Sequence, residues 1–262
     1  MSKLTHFPKA IKIVGAQDPR GTQDGEPWRY AAARGISQEE KGQRKGREDG
    51  RQQWNREAAK RDTRRAAQTG DKYDELLAEG ARAGARHPPD ARKAAKAYRE
   101  AIALIPDDPS AYFCLGATLD DSGHDVEAAH WYLEAKERYP VGCMEWARAT
   151  ANAFDMLRLE VCAEVVKPEW WNDEGLKALS ARVVRAAPNG LGPNCMRAFV
   201  LGGGERTGAW EVGPRSAAEL NKAATHYERA LVLSSAPVVK AHFAKCANRC
   251  RYQAEAMQAA RM

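Results

Sequence analysis

The sequence predicts an all-α protein built as a solenoid of antiparallel helix pairs, and three observations indicate this fold. From Asp71 onward apolar residues recur at helical spacing, and no stretch combines period-two alternation with β-branched residues. Clusters of Gly, Pro, Asn, Asp and Ser separate these stretches, as loops between helices require. A 34-residue period relates neighbouring stretches, which is typical of repeat architectures.

The apolar spacing predicts nine helices. They are expected over residues 71–85, 90–105, 109–121, 125–138, 142–165, 173–187, 193–202, 215–234 and 237–259. Between the third and fourth helices, Gly123 is expected to supply the turn. Asp125 is expected to cap the next helix, because a carboxylate there accepts from unpaired N–H groups. Ser216 and Glu219 have the spacing of a capping box.

The first 70 residues differ in composition from the rest of the chain. They hold 16 of the 41 basic and 9 of the 35 acidic residues, which leaves 25 and 26 for residues 71–262. Residues 1–36 show little periodicity, and we expect an irregular or disordered segment. Residues 37–70 are rich in helix formers, but Trp54 is their only large apolar residue. A loosely helical, solvated segment is therefore expected before the helical-repeat domain, residues 71–262.

Ten basic side chains in this segment form what we call the basic arm. They are Lys41, Arg44, Lys45, Arg47, Arg51, Arg56, Lys60, Arg61, Arg64 and Arg65. Such an arm could contact nucleic-acid phosphates with salt-sensitive affinity that is independent of sequence. Four interspersed acidic residues and the single aromatic residue favour a solvated helix or a protein-docking arm instead.

The repeat is clearest in the unit "AYFCLGATLDDSGHDVEAAHWYLEAKERYP", residues 111–140. Its diagnostic residues are Tyr112, Leu115, Gly116, Leu119, Gly123, Ala128, Tyr132, Ala135 and Pro140. Ala94, Tyr98, Ala101 and Pro106 precede their counterparts by 34 positions, and Trp146 follows Tyr112 by 34. This unit resembles the tetratricopeptide repeat at each of its signature positions.

The resemblance implies about four stacked units and a capping helix over residues 237–259. In this family the first helices of successive units line a concave groove that holds a peptide or a helix of a partner. The groove positions of the matched unit would be Ser110, Phe113, Ala117, Asp120 and Asp121. The two aspartates favour a basic partner, and the chain's own basic arm could occupy this acidic end of the groove.

Adjacent tryptophans, Trp170 and Trp171, interrupt the third unit. Their side chains cannot both point the same way, so we expect one to fill the extended unit. The other would be an exposed anchor for a partner, because tryptophan is enriched at binding hot spots.

No metal site, cofactor or catalytic centre is expected. His124 and His130 are six residues apart, which does not place them on one helix face. None of the six cysteines forms a CxxC motif, and we expect them to be reduced and structural. The "GGGERTG" stretch lacks both the Lys-Ser/Thr of a phosphate loop and the third Gly of a dinucleotide fingerprint. A flexible insertion is expected there.

The function that we expect is therefore a non-catalytic scaffold or adaptor that binds a protein or peptide partner. The alternative is a nucleic-acid- or ribosome-associated factor that uses the basic arm. A third, weaker alternative is an enzyme with its site on the inserted loops near Trp170 or Trp210. No apolar run of about 18 residues and no signal-peptide pattern occur, so we expect no membrane association. A cytoplasmic location is expected, with the nucleus as the alternative.

Overall fold

The computed structural model describes residues 55–203 and 210–260, and within these ranges all regular secondary structure is helical, as predicted. The helices are α1 (residues 55–69), α2 (Lys72–Gly84), α3 (Ala91–Leu104), α4 (Pro109–Asp121), α5 (Asp125–Arg138), α6 (Met144–Leu157), α7 (Asp173–Ala186), α8 (Leu191–Leu201), α9 (Ala217–Leu233) and α10 (Pro237–Ala259). The expectations for residues 1–54, and for most of the "GGGERTG" stretch, lie outside the described residues.

From α2 onward, each helix packs chiefly against its neighbours in the chain. The first pair is α2 with α3, the second α4 with α5, the third α6 with α7, and the fourth α8 with α9. Successive pairs meet where α3 packs on α4, α5 on α6, and α7 on α8. This sequential packing confirms the predicted helical solenoid.

The same close contact brings the two helices together in the first and second pairs. A Cβ added to Gly116 of α4 would lie 3.0 Å from the ring of Tyr132 in α5. A Cβ added to Gly80 of α2 would lie 2.6 Å from the ring of Tyr98 in α3. Only glycine lets the aromatic ring approach the helix backbone this closely. Because both helix pairs contain this glycine–tyrosine contact, Gly80 of α2 corresponds to Gly116 of α4.

Local signals at the helix ends explain most of the boundaries. Asp108 precedes α4, and its carboxylate accepts from the N–H of Ser110 at 2.8 Å. The capping box predicted at the start of α9 is confirmed. The prediction that Asp125 caps α5 was wrong, because the helix already begins at Asp125 and His124 occupies the N-cap position. Asp125 instead places a negative charge in the first turn, where the helix dipole favours it.

Helix α6 ends at Leu157, eight residues before the predicted end of this helix at position 165. The chain turns into a short 3-10 helix, Glu160–Cys162, which places Cys162 in the core. Lys167 stabilises this turn, because its Nζ donates to the carbonyl oxygens of Leu157 at 3.0 Å and Cys162 at 2.5 Å. The amine thus satisfies acceptors that a continuing helix would have paired.

Helix α10 ends the described solenoid. It has 23 residues, of which only Phe243, Cys246, Ala247, Cys250 and Ala254 are buried. One face therefore packs on the fourth pair, and the rest is solvated, as a capping helix requires. Neither α10 nor any other helix among the described residues is long and apolar enough to cross a membrane.

Candidate interaction groove

The five predicted groove positions form one stripe along α4. Their spacing of three and four residues places Ser110, Phe113, Ala117 and Asp120 on one helix face, with Asp121 beside them. Phe113 and Ala117 are buried, Ser110 and Asp120 are half-buried, and Asp121 is exposed. The hydroxyl of Tyr132 donates to Asp120 Oδ2 at 3.3 Å, which ties this carboxylate to α5.

Helix α2 carries an equivalent stripe. Gly80 and Gly116 make the same contact with a tyrosine of the partner helix, so a shift of 36 residues superposes α2 on α4. The five groove positions then correspond to Asp74, Leu77, Ala81, Gly84 and Ala85. We call the two stripes together the groove face.

Helix α1 lies on the α2 part of the groove face and runs antiparallel to α2. Its N-terminal half makes apolar contacts there. Ala58 and Ala59 are buried in one cluster with Ala81, against which Ala85 also packs. Asn55 Nδ2 lies 3.8 Å from the position that a Cβ on Gly84 would take. These are small side chains, so the two helices approach closely with little apolar area between them.

The C-terminal half of α1 is held by polar contacts. Arg65 forms an ion pair with Asp74, whose carboxylate also accepts from Thr69 Oγ1 at 2.8 Å. The Arg65 guanidinium, together with the Thr69 hydroxyl, holds the pKa of Asp74 below its usual range. Arg82 Nη1 donates to Thr63 Oγ1 at 3.3 Å. In these contacts Thr63, Arg65 and Thr69 belong to α1. Hydrogen bonds and an ion pair, rather than a large apolar face, therefore hold the basic segment on the groove face.

A cavity of about 210 Å³ opens beside α1 on the groove face. It is lined by Arg61, Asp62, Arg65, Leu77, Ser110, Phe113, Cys114, Tyr139, Glu145 and Arg148. The lining includes the apolar side chains of Leu77 and Phe113, and the guanidinium of Arg148 lies 5.2 Å from the centre of the Phe113 ring. The lining also carries both charge signs, with Arg61 Nε donating to the buried carboxylate of Asp62 at 2.8 Å. Such a mixed lining suits an amphipathic side chain, which has an apolar stem and a polar end.

The cavity contains a thiol that is not activated. Its thiol belongs to Cys114, and burial raises the pKa of this thiol to about 12. A thiol with such a pKa stays protonated at neutral pH and is a poor nucleophile. The environment of Cys114 therefore does not favour thiol chemistry.

Aromatic side chains cover the groove positions of the third pair. The 34-residue period places Ala147, Ala151 and Phe154 of α6 at these positions, and all three are buried. The ring centre of Phe154 lies 5.6 Å from that of Trp171 and 6.0 Å from that of Trp210. The loops that precede α7 and α9 thus close this part of the face.

Both tryptophans of the predicted anchor are half-buried in this aromatic cluster. The ring centres of Trp170 and Trp171 are 5.7 Å apart. Lys136 Nζ lies 5.7 Å from the centre of the Trp170 ring, and Lys167 Nζ lies 5.5 Å from that of Trp171. Trp170 and Trp171 both pack against two core clusters, so they join the second pair to the third.

A polar network that sequence spacing did not indicate holds the loop containing Trp210. Asp173 accepts from Trp210 Nε1 at 3.2 Å and from both terminal nitrogens of Arg215, at 2.5 and 2.8 Å. Lys177 Nζ lies 3.1 Å from the same carboxylate. The Arg215 guanidinium, and after it Lys177 and Trp210, hold the pKa of Asp173 well below its usual range.

Half of the basic arm lies among the described residues, and half does not. Arg56, Lys60, Arg61, Arg64 and Arg65 belong to α1, whereas Lys41, Arg44, Lys45, Arg47 and Arg51 lie outside the described residues. Arg61 and Arg65 turn toward the groove face and pair with Asp62 and Asp74. Two of the five described basic side chains of the arm thus pair with carboxylates of the protein, whereas Arg56, Lys60 and Arg64 are exposed.

Neither a metal cluster among the described residues nor a similar known protein points to a function. Within residues 55–203 and 210–260, no group of three or more His, Cys, Asp and Glu side chains could hold a metal ion. No protein-family model matches the chain, and no curated protein or solved structure is significantly similar to it. The functional argument therefore rests on the groove face itself.

Proposed function

We propose that the chain is a non-catalytic interaction module of the tetratricopeptide type, which binds a helix or peptide of a protein partner on the groove face. The observation that carries the proposal is that α1 already lies along the α2 part of this face. A surface that accepts one helix through small side chains and a buried carboxylate has the geometry for helix-in-groove recognition.

The charges of the groove face favour a basic partner. Asp74 pairs with an arginine of α1, and the α4 stripe ends in Asp120 and Asp121. Carboxylates near a binding face attract a cationic helix and raise its rate of association. The cavity beside Phe113 would accept the stem of one long side chain of that helix.

The proposal can be tested with helical peptides selected from a display library against the full chain. Binding is then measured by titration calorimetry for the wild type and for the double variant Asp120→Asn/Asp121→Asn. Asparagine keeps the acceptor for Tyr132 and removes the charge. We expect affinity to fall about threefold to tenfold at low salt, and less at high salt, because the interaction is screened.

The matched control is Glu100→Gln/Glu127→Gln, which removes two exposed carboxylates from the second helices α3 and α5. This control should leave the affinity unchanged. If both double variants reduce binding equally, net charge rather than the groove face attracts the peptides, and the proposal is wrong.

A further inference from the structure

Helix α1 buries few of its residues against the groove face. Of its 15 residues only Ala58, Ala59 and Asp62 are buried, whereas α2 buries eight of 13. The arginine that anchors its C-terminal half, Arg65, has 49% of its side chain exposed. An attachment of this kind opens locally at a lower free energy than the core pairs.

We propose that α1 is an intramolecular occupant of the groove face, which a partner helix must displace in order to bind. This inference rests on the proposed function. It adds that α1 regulates binding to the groove face, and it defines the class of partner. Gly70, with φ at +62°, forms the turn that folds α1 back on α2. The short link gives α1 a high effective concentration at the face, so a partner in solution competes against it.

The contacts of α1 define the helix that would replace it. Two adjacent small residues fit against Ala81 and Ala85, as Ala58 and Ala59 do. A basic residue about two turns later reaches Asp74, as Arg65 does. The partner is therefore a basic helix with a small-residue face, and a helix with a bulky apolar face does not fit this close approach.

The test uses the full chain and a dye-labelled peptide of residues 55–69 as the probe. In the variant Ala58→Glu/Ala59→Glu, two charges replace buried methyl groups on α1 and leave the groove face intact. The matched control, Ala67→Glu/Gln68→Glu, adds the same charge to exposed positions of the same helix. Circular dichroism and thermal melting check that α2 to α10 stay folded.

A disulfide provides the opposite perturbation. Asn55 Cγ lies 3.9 Å from the position of a Cβ on Gly84, so Asn55→Cys/Gly84→Cys brings two thiols within bonding reach. Oxidation then locks α1 on the face, and reduction releases it. The two single cysteine variants, oxidised in the same way, control for the native thiols.

We expect the peptide to bind the opened variant at least about tenfold more tightly than the wild type or the charge control, because the competing helix has left the face. The oxidised lock should bind most weakly and recover on reduction. Equal binding to opened, wild-type and locked chains would overturn the inference, as would no binding to the opened chain.

Failure of this inference can be told apart from failure of the proposed function. If library-selected helices bind the locked chain as well as the wild type, but still depend on Asp120 and Asp121, displacement of α1 is wrong and groove binding stands. If their binding depends neither on the lock nor on these aspartates, both proposals fail.

Discussion

The ion pair between Arg215 and Asp173 allows a direct test of how a buried ion pair stabilises the fold. Arg215→Met keeps an unbranched, largely apolar stem and removes the guanidinium of a side chain that is only 7% exposed. Its terminal nitrogens also donate to the carbonyl oxygens of Val200 at 2.9 Å and Gly213 at 3.0 Å. Removing one partner of a buried pair costs about 3–5 kcal/mol. Because Asp173 keeps Lys177 as a partner, we expect the lower end, about 3 kcal/mol.

The pH dependence follows from the lowered pKa of Asp173. A carboxylate with a lower pKa in the folded state stabilises the fold above its unfolded pKa of about 3.9. This contribution is lost as the pH falls through the folded pKa. The difference in free energy of unfolding between wild type and Arg215→Met should therefore be constant from about pH 7 to 5 and shrink below about pH 4.

Urea unfolding followed by circular dichroism across this pH range measures the difference. The matched control is Arg251→Met, which breaks an ion pair of 2.5 Å with Glu228 whose two side chains are 44% and 47% exposed. An exposed pair contributes only about 0–1 kcal/mol. The reasoning is refuted if Arg215→Met costs no more than Arg251→Met, or if its cost does not depend on pH.

Four further predictions concern the helix pairs, the turn after α6, and α1. Gly80→Ala and Gly116→Ala should each destabilise by about 1–3 kcal/mol in urea unfolding, the former more, because their Cβ atoms would meet the facing tyrosine at 2.6 and 3.0 Å. Gly84→Ala, with no neighbour nearer than 3.8 Å among the described residues, should instead stabilise by about 0.5–1 kcal/mol. Lys167→Met should cost about 1–3 kcal/mol by the same assay, because two carbonyl groups lose their donor. Since the paired arginine of α1 lowers the pKa of Asp74, hydrogen exchange of α1 should accelerate relative to α3 below about pH 4, and Asp74→Asn should show the faster exchange already at pH 7.

Helix boundaries were predictable where short-range signals set them. The predicted bounds of α4 and α5 match the structure, because Asp108 and Pro109 start the former and Gly123, with φ at +77°, separates the two. The end of α6 was not predictable from short-range signals, because the amine that donates to the carbonyl oxygen of Leu157 lies ten residues farther along the chain. Apolar periodicity continues through the turn that Lys167 stabilises, and so predicts a helix that is too long.

The groove face was predictable in part. The resemblance to the tetratricopeptide repeat implied the positions of the α4 stripe, and these positions do share one helix face. The docking of α1, in contrast, leaves no apolar pattern in the sequence. Ala58 and Ala59 are too small to produce an amphipathic pattern in the sequence. An aspartate such as Asp62 is expected from sequence to be solvated, although it is buried in the structure. Nor does any spacing rule relate Asp173 to Arg215, which is 42 residues away.

The arrangement along the groove face limits how a partner could bind. Helix α1 covers the α2 part, aromatic side chains around Phe154 cover the α6 part, and the cavity at α4 lies between them. The 13 residues of α4 are about 20 Å long, which a partner helix of three to four turns can follow. A partner that contacts α4 alone gains little apolar burial, whereas one that also takes the α2 part must remove α1. The affinity of a groove-binding partner should therefore depend on how firmly Arg65 and the two alanines of α1 hold that helix.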